Sequence, residues 1–244
     1  YCQFHRLLLQ FVKWYPEIRE EAEKRIDMFT KDTKYRNKNN IPSLGEFLPL
    51  LTITNKFNWT RISNYYIEEM FDRNARWILY KYPELAFVEN ELSSFDDDRI
   101  EKSFEATIVG KKLTAFNIYF CNHIAKKNNI NFQERTRLYD EMYGKPQRKE
   151  IIKFQNVIKE VDNMKDWKDF YKIIGIFKPT KRVLASKLRL AIENSEDKGY
   201  HNLSELGINE EEHKKKERYG RLGWYGKRGW EVKPKEKVIE SDFW

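Results

Sequence analysis

Apolar side chains recur along this chain at the three- and four-residue spacing of α-helices, and no stretch of useful length alternates apolar with polar as a half-buried strand does. From Phe4 onward, Leu7, Leu8, Phe11, Val12 and Tyr15 line one helical face, and Pro16 separates this helix from the next. Residues Glu17–Lys31 repeat the period at Ile18, Ala22, Ile26 and Phe29, with Glu17, Glu20 and Glu21 in the first turn, where acids complement the helix dipole. An antiparallel helix pair is expected. The polar, non-periodic Lys34–Asn40 reads as an exposed loop.

The densest apolar run, Pro42–Leu85, reads as the folding centre. Ser43-Leu-Gly-Glu46 matches a capping box and predicts a helix start, with Pro49 expected to kink the helix or restart it. Asn58 or Thr60 opens a longer helix that Tyr82-Pro83 ends. Its expected core residues are Trp59, Tyr66, Met70 and Trp77, and with no Gly or Pro between Phe71 and Arg76 it is expected to be continuous. Asp96-Asp97-Asp98 is expected at the N-terminus of a helix running to about Lys126 through Ile100, Phe104, Ile108, Leu113, Phe116, Phe120 and Ile124. A second capping box, Asn131-Phe-Gln-Glu134, starts a short helix stopped by Gly144 and Pro146. Further helices are predicted at about Lys149–Val161, Asp166–Ile176 and, capped by Thr180, Lys181–Glu193. A small turn is expected over Asn202–Ile208.

These elements predict an all-α fold, an irregular multi-helix bundle with an extended basic, aromatic C-terminal tail. Gln147–Arg148 marks the expected boundary between a main helical domain over 1–146 and a smaller helical subdomain over 147–208 packed on it; 209–244 is the tail. The chain has 244 residues, 40% of them hydrophobic and 15% aromatic, enough for a packed core. No apolar run approaches the roughly 18 residues of a membrane span. Two cysteines make no disulfide framework, which fits the cytoplasm or nucleus. A chain that begins with Tyr1 is expected to be a fragment or processed product of a longer one.

Charge is unevenly placed. Residues 1–120 hold 18 Lys and Arg against 18 Asp and Glu, whereas Lys214–Lys237 holds 10 against 3. In that segment Gly220, Gly223, Gly226 and Gly229 recur every third residue among Arg218, Tyr219, Arg221, Trp224, Tyr225, Lys227, Arg228 and Trp230. Such a segment can stack bases on aromatic planes while its cations meet phosphates, or its tryptophans can anchor it in apolar grooves of its own body or of a partner. These eight residues are the binding residues read from sequence, for RNA or for a protein partner.

Chemistry-bearing motifs are sparse. Cys2-x-x-His5 and Cys121-x-His123 offer zinc-ligand types, but residues two apart on a helix diverge, so Cys121 reads as buried and His5 as a helix-surface residue. The aspartate run lacks the glycine and distal glutamate of a calcium loop. No phosphate- or dinucleotide-binding glycine loop occurs. No catalytic residue, metal, cofactor, membrane contact or small-molecule substrate is assigned. A helical hydrolase or nuclease using unaligned carboxylates is the enzyme alternative.

Four stretches, Tyr1-Cys-Gln-Phe-His-Arg6, Pro42-Ser-Leu-Gly-Glu-Phe-Leu48, Phe71-Asp-Arg-Asn74…Trp77 with Tyr82-Pro-Glu-Leu85, and Ala191-Ile-Glu-Asn-Ser…Lys198-Gly-Tyr-His201, together resemble a functionally uncharacterised helical region of large multidomain proteins of unicellular eukaryotes, some of which carry a ubiquitin-conjugating-type (UBC) domain. The resemblance spans about residues 1–201 and assigns no binding or catalytic role. It implies an accessory or interaction domain whose partner is another protein or the rest of its parent chain. Any ubiquitin transfer would then lie elsewhere in the parent, because no catalytic cysteine in a His-Pro-Asn context occurs here.

Overall fold

Side-chain caps set the helix starts. Ser43 Oγ accepts from the Glu46 amide at 3.2 Å, Asn58 Oδ1 from Arg61 at 3.2 Å, Asp166 Oδ1 from Asp169 at 2.9 Å and Thr180 Oγ1 from Val183 at 3.5 Å. In this computed structural model, which describes residues 2–54, 58–86, 93–125, 137 and 148–208, the helices are α1 (Cys2–Trp14), α2 (Glu17–Lys31), α3 (Leu44–Thr52), α4 (Trp59–Lys81), α5 (Ser93–Ala106), α6 (Ile108–Ala125), α7 (Arg148–Asp162), α8 (Trp167–Ile173) and α9 (Lys181–Asp197). A 3-10 turn, Pro83–Ala86, follows α4. The described residues contain no strand. The described residues, up to Ile208, fall in one compact unit. The expected helix after Asn131 lies outside the described residues.

Helix ends follow glycine. At the end of α9 the Tyr200 amide reaches back to Ser195 O at 2.8 Å, a closure that needs the left-handed φ of 65° at Gly199. Gly175, φ 73°, ends the α8 turn in the same way, with the Ile176 amide bonded to Tyr171 O at 3.2 Å.

One expectation is corrected at this level and one pair of alternatives is decided. The helix predicted from Asp96 to Lys126 is two helices that part at Thr107. Thr107 Oγ1 donates to Ser103 O at 2.7 Å and the Thr107 amide bonds Phe104 O at 3.2 Å, so hydroxyl and tightened backbone replace the regular helical pattern. Of the two alternatives at Pro49 the restart does not occur: α3 runs unbroken from Leu44 to Thr52 with the proline inside it.

The main core draws side chains from α2 to α9, on both sides of Gln147–Arg148. Trp167 sits at its centre, with ring centroids 5.3 Å from Phe71, 5.5 Å from Phe104 and 5.8 Å from Phe170, while its indole N–H donates to Ile100 O at 2.8 Å. Trp59 is tied in the same way, donating to Ile174 O at 2.7 Å. Each buried ring thus satisfies its one polar atom. A second cluster joins Ala75, Ile78 and Leu79 of α4 to Leu85, Ile192 and Ile208, and a third joins Val12, Ala22 and Ile53. Cys121 is buried, as the sequence suggested.

α4 is continuous, as expected, and Trp59, Tyr66 and Met70 are buried; Trp77 is not, being 53% exposed. At about 100° per residue, the face that includes Trp59, Ile62, Tyr66 and Met70 projects on to position 77. The later buried residues are instead Ala75, Ile78 and Leu79, displaced by nearly half a turn, because this end of α4 packs on the second cluster and not on the first. α1 divides similarly: Leu8 and Val12 pack inward, whereas Leu7, Phe11, Trp14 and Tyr15 are exposed. In the loop after α2, Arg36 turns inward and donates to Phe29 O at 3.1 Å, so that loop is not wholly exposed.

Trp77→Ala is expected to change stability by less than about 1 kcal/mol, whereas Trp167→Ala should cost about 3–5 kcal/mol. Urea unfolding followed by circular dichroism checks the contrast, and equal losses would place Trp77 back in the core.

Candidate functional site

The densest polar constellation lies where α4 meets the C-terminal end of α9. Its centre is Glu69, 0% exposed. Arg73 Nε donates to Glu69 Oε1 at 2.7 Å, Tyr200 OH to the same oxygen at 2.7 Å, and Lys198 Nζ to Oε2 at 2.6 Å. Lys198 also reaches Asp72 Oδ2 at 2.7 Å, and Asn194 Nδ2 reaches Asp72 Oδ1 at 3.4 Å. Arg73 also donates from both terminal nitrogens, to the carbonyls of Ile41 at 2.6 Å and Pro42 at 3.1 Å. Spacing explains the α4 half: 69, 72 and 73 fall within one turn on one side. The Gly199 turn supplies the other half by carrying Tyr200 back over α9.

Glu69 Oε1 accepts two hydrogen bonds and Oε2 one, all from groups of the chain itself, and the side chain is fully buried, so it holds position out of reach of a substrate. Asp72 is served less well. Burial, opposed by the hydrogen bond and charge of Lys198 and reinforced by the neighbouring Glu69, raises its carboxyl from an ordinary 3.8 to about 6. Burial and the Glu69 carboxylate also push the Tyr200 phenol upward. Over the Tyr200 ring, 4.6 Å from its centroid, stands the Lys38 ammonium, held below the usual lysine range first by partial burial and then by Arg73 and Arg76.

Two further interior groups, Lys111 and the Ser195–His201 pair, carry side chains of catalytic type. Lys111, 1% exposed, lies with its Nζ 4.2 Å from the Trp167 centroid and 5.1 Å from that of Phe104. It donates to Ser103 O at 3.1 Å and to Thr107 Oγ1. Burial alone drives its ammonium far below the usual range, because no carboxylate answers it. An amine so enclosed is a core group, out of reach of any substrate. His201 Nδ1 lies 2.8 Å from Ser195 Oγ, a serine–histidine contact that the sequence did not bring out; the only signal was their six-residue spacing across a helix-ending glycine. Ser195 is fully buried and burial lowers the His201 value, so the contact holds the Gly199 turn and is no nucleophile–base pair.

Arg218, Tyr219, Arg221, Trp224, Tyr225, Lys227, Arg228 and Trp230, the binding residues read from sequence, lie outside the described residues. So do the side chains of Cys2, His5 and His123. Among the described residues no group of three or more His, Cys, Asp or Glu side chains is placed to hold a metal ion, and no helix is long and apolar enough to cross a membrane. Of the three aspartates, Asp97 pairs with Lys181 and Asp98 with Lys102 at 3.3 Å. Comparison with protein-family models, curated proteins and solved structures finds no match to this chain.

The Asp72 value lies higher in the folded chain than in the unfolded one, so its contribution to stability is full below about pH 4 and lost as pH rises through about 6. Asp72→Asn should flatten that fall, worth up to about 3 kcal/mol, in melts recorded across the window. Lys111 has the opposite bias: burial disfavours its charged form in the folded chain, so its contribution to stability grows as pH rises towards 10.5. Lys111→Met should therefore stabilise the chain at pH 7 by about 1–4 kcal/mol, with the gain shrinking in alkaline buffer. A destabilised Met variant at pH 7 would show that the amine is held favourably.

Proposed function

We propose that this chain is a non-catalytic α-helical accessory domain acting by protein contact within a larger protein of the ubiquitin system. The outer face of α1 carries the reading: Leu7, Phe11, Trp14 and Tyr15 follow one another at helical spacing, all are exposed, and the Phe11 and Trp14 rings stand edge to face at 6.0 Å. A row of large apolar side chains at one-turn intervals fits the groove or helix face of another protein. The polar groups of the interior favour the same conclusion, since Glu69, Lys111 and Ser195 are engaged and enclosed. Cys121, buried in the core, is a poor carrier for a transferred acyl group. The ubiquitin context and a cytoplasmic or nuclear setting rest on the resemblance of residues 1–201 and on cysteine usage. The second reading is RNA binding through the basic tail, supported by the glycine, aromatic and cationic composition of Arg218–Trp230.

In the full chain, Phe11→Ser with Trp14→Ser should leave the thermal midpoint within a few degrees and remove capture of the protein partner, read by cross-linking and mass spectrometry. If the double variant retains the partner, α1 is not the contact.

A further inference from the structure

We propose that a second surface, on the exposed side of α4, binds single-stranded nucleic acid through Lys38, Arg76, Trp77 and Tyr80. Positions 73, 76, 77 and 80 fall on one stripe of α4, three and four residues apart and about 10 Å long. Arg73 anchors the near end and is consumed by Glu69 and two carbonyls. Beyond it the stripe is open: Trp77 is half exposed and Tyr80 is 72% exposed, large rings facing solvent on a helix whose core residues lie elsewhere.

The cations beside these rings are unbalanced. Lys38 rests on the Tyr200 ring and Arg76 lies 5.7 Å from the Trp77 centroid, and neither forms an ion pair with a described carboxylate. The neighbouring acids are already spent: Glu69 on Arg73, Lys198 and Tyr200, Asp72 on Lys198 and Asn194, Glu105 on Lys81 and Tyr82. Lys38 is repelled by Arg73 and Arg76 more strongly than Glu69 attracts it, so an incoming anion relieves a repulsion built into the fold. An acidic peptide would use the cations and leave the rings idle. A nucleic-acid strand uses both, since phosphates meet Lys38 and Arg76 while bases stack on the indole and phenol faces. No contact selects a base, so binding is indifferent to sequence.

The test is fluorescence-anisotropy titration of the full chain with a labelled 12-nucleotide RNA and its DNA counterpart from low to moderate salt. Lys38→Ala with Arg76→Ala should reduce the slope of log affinity against log salt by about 1.4, the value for two lost phosphate contacts on a single strand. Trp77→Ala with Tyr80→Ala should weaken binding by about tenfold or more at every salt concentration. Ultraviolet cross-linking should place the strand on Trp77 or Tyr80. All four positions are solvent-facing, and melting curves check that the variants fold. Wild-type affinity and slope in both double variants would overturn the proposal and assign any binding to other parts of the chain. Competition by a poly-glutamate peptide of equal charge as strong as that by unlabelled RNA would also overturn it, reducing the surface to a general anion contact.

Discussion

A carboxylate with no access to water has to be answered by the protein around it, and Glu69 imposes that demand on three separate parts of this chain. Arg73 answers from the next turn of α4, Lys198 and Tyr200 answer from beyond the end of α9, and Arg73 in turn binds the carbonyls that lead into α3. The arrangement fixes more than the packing of two helices. It ties the Gly199 turn to α4, sets the Tyr200 ring beneath Lys38, and engages both Glu69 and Asp72 with groups of the chain. The cationic rim is what remains after the interior charge has been neutralised.

Burial of Trp167 is the apolar counterpart. Its ring meets Phe71 of α4, Phe104 of α5 and Phe170 of α8, and its N–H closes on α5. The same ring lies against Lys111 and so near the Thr107 break between α5 and α6. Break and buried lysine belong together: Thr107 and Lys111 both bond the Ser103 carbonyl, where the change of helix direction begins. An amine in this position gives up the hydration that keeps most lysines at the surface.

Much of the helical plan was legible because it depends on local signals. Ser43, Asn58 and Thr180 cap the helices they were expected to cap, and Gly175 and Pro83 mark ends through backbone geometry that a short window of sequence carries. The errors arose where a distant partner decides the outcome. Trp77 follows the spacing of Met70, yet the later part of α4 faces Ile192 and Ile208, over a hundred residues away in sequence. The Thr107 break has no glycine or proline, and it becomes explicable only with Lys111 in place. The candidate surfaces were less legible still. Nothing local marks Glu69 as the buried member of the pair Glu68-Glu69; its partners Lys198 and Tyr200 are 129 and 131 residues away. Asp72 and Lys38 inherit their altered titration from the same long-range contacts.

Sequence separation has a consequence during synthesis. Trp59 hydrogen-bonds a carbonyl 115 residues further on, and Glu69 waits for Lys198 and Tyr200. At a translation rate of about 5–20 residues per second, α4 is complete roughly 6–24 s before the groups that bury it have been made. Over that interval the nascent chain carries Trp59, Tyr66, Met70 and Phe71 without their α8 and α9 partners, together with a carboxylate that disfavours premature collapse around it. Until Lys198 and Tyr200 have been made, only Arg73 of its three partners is there to answer Glu69.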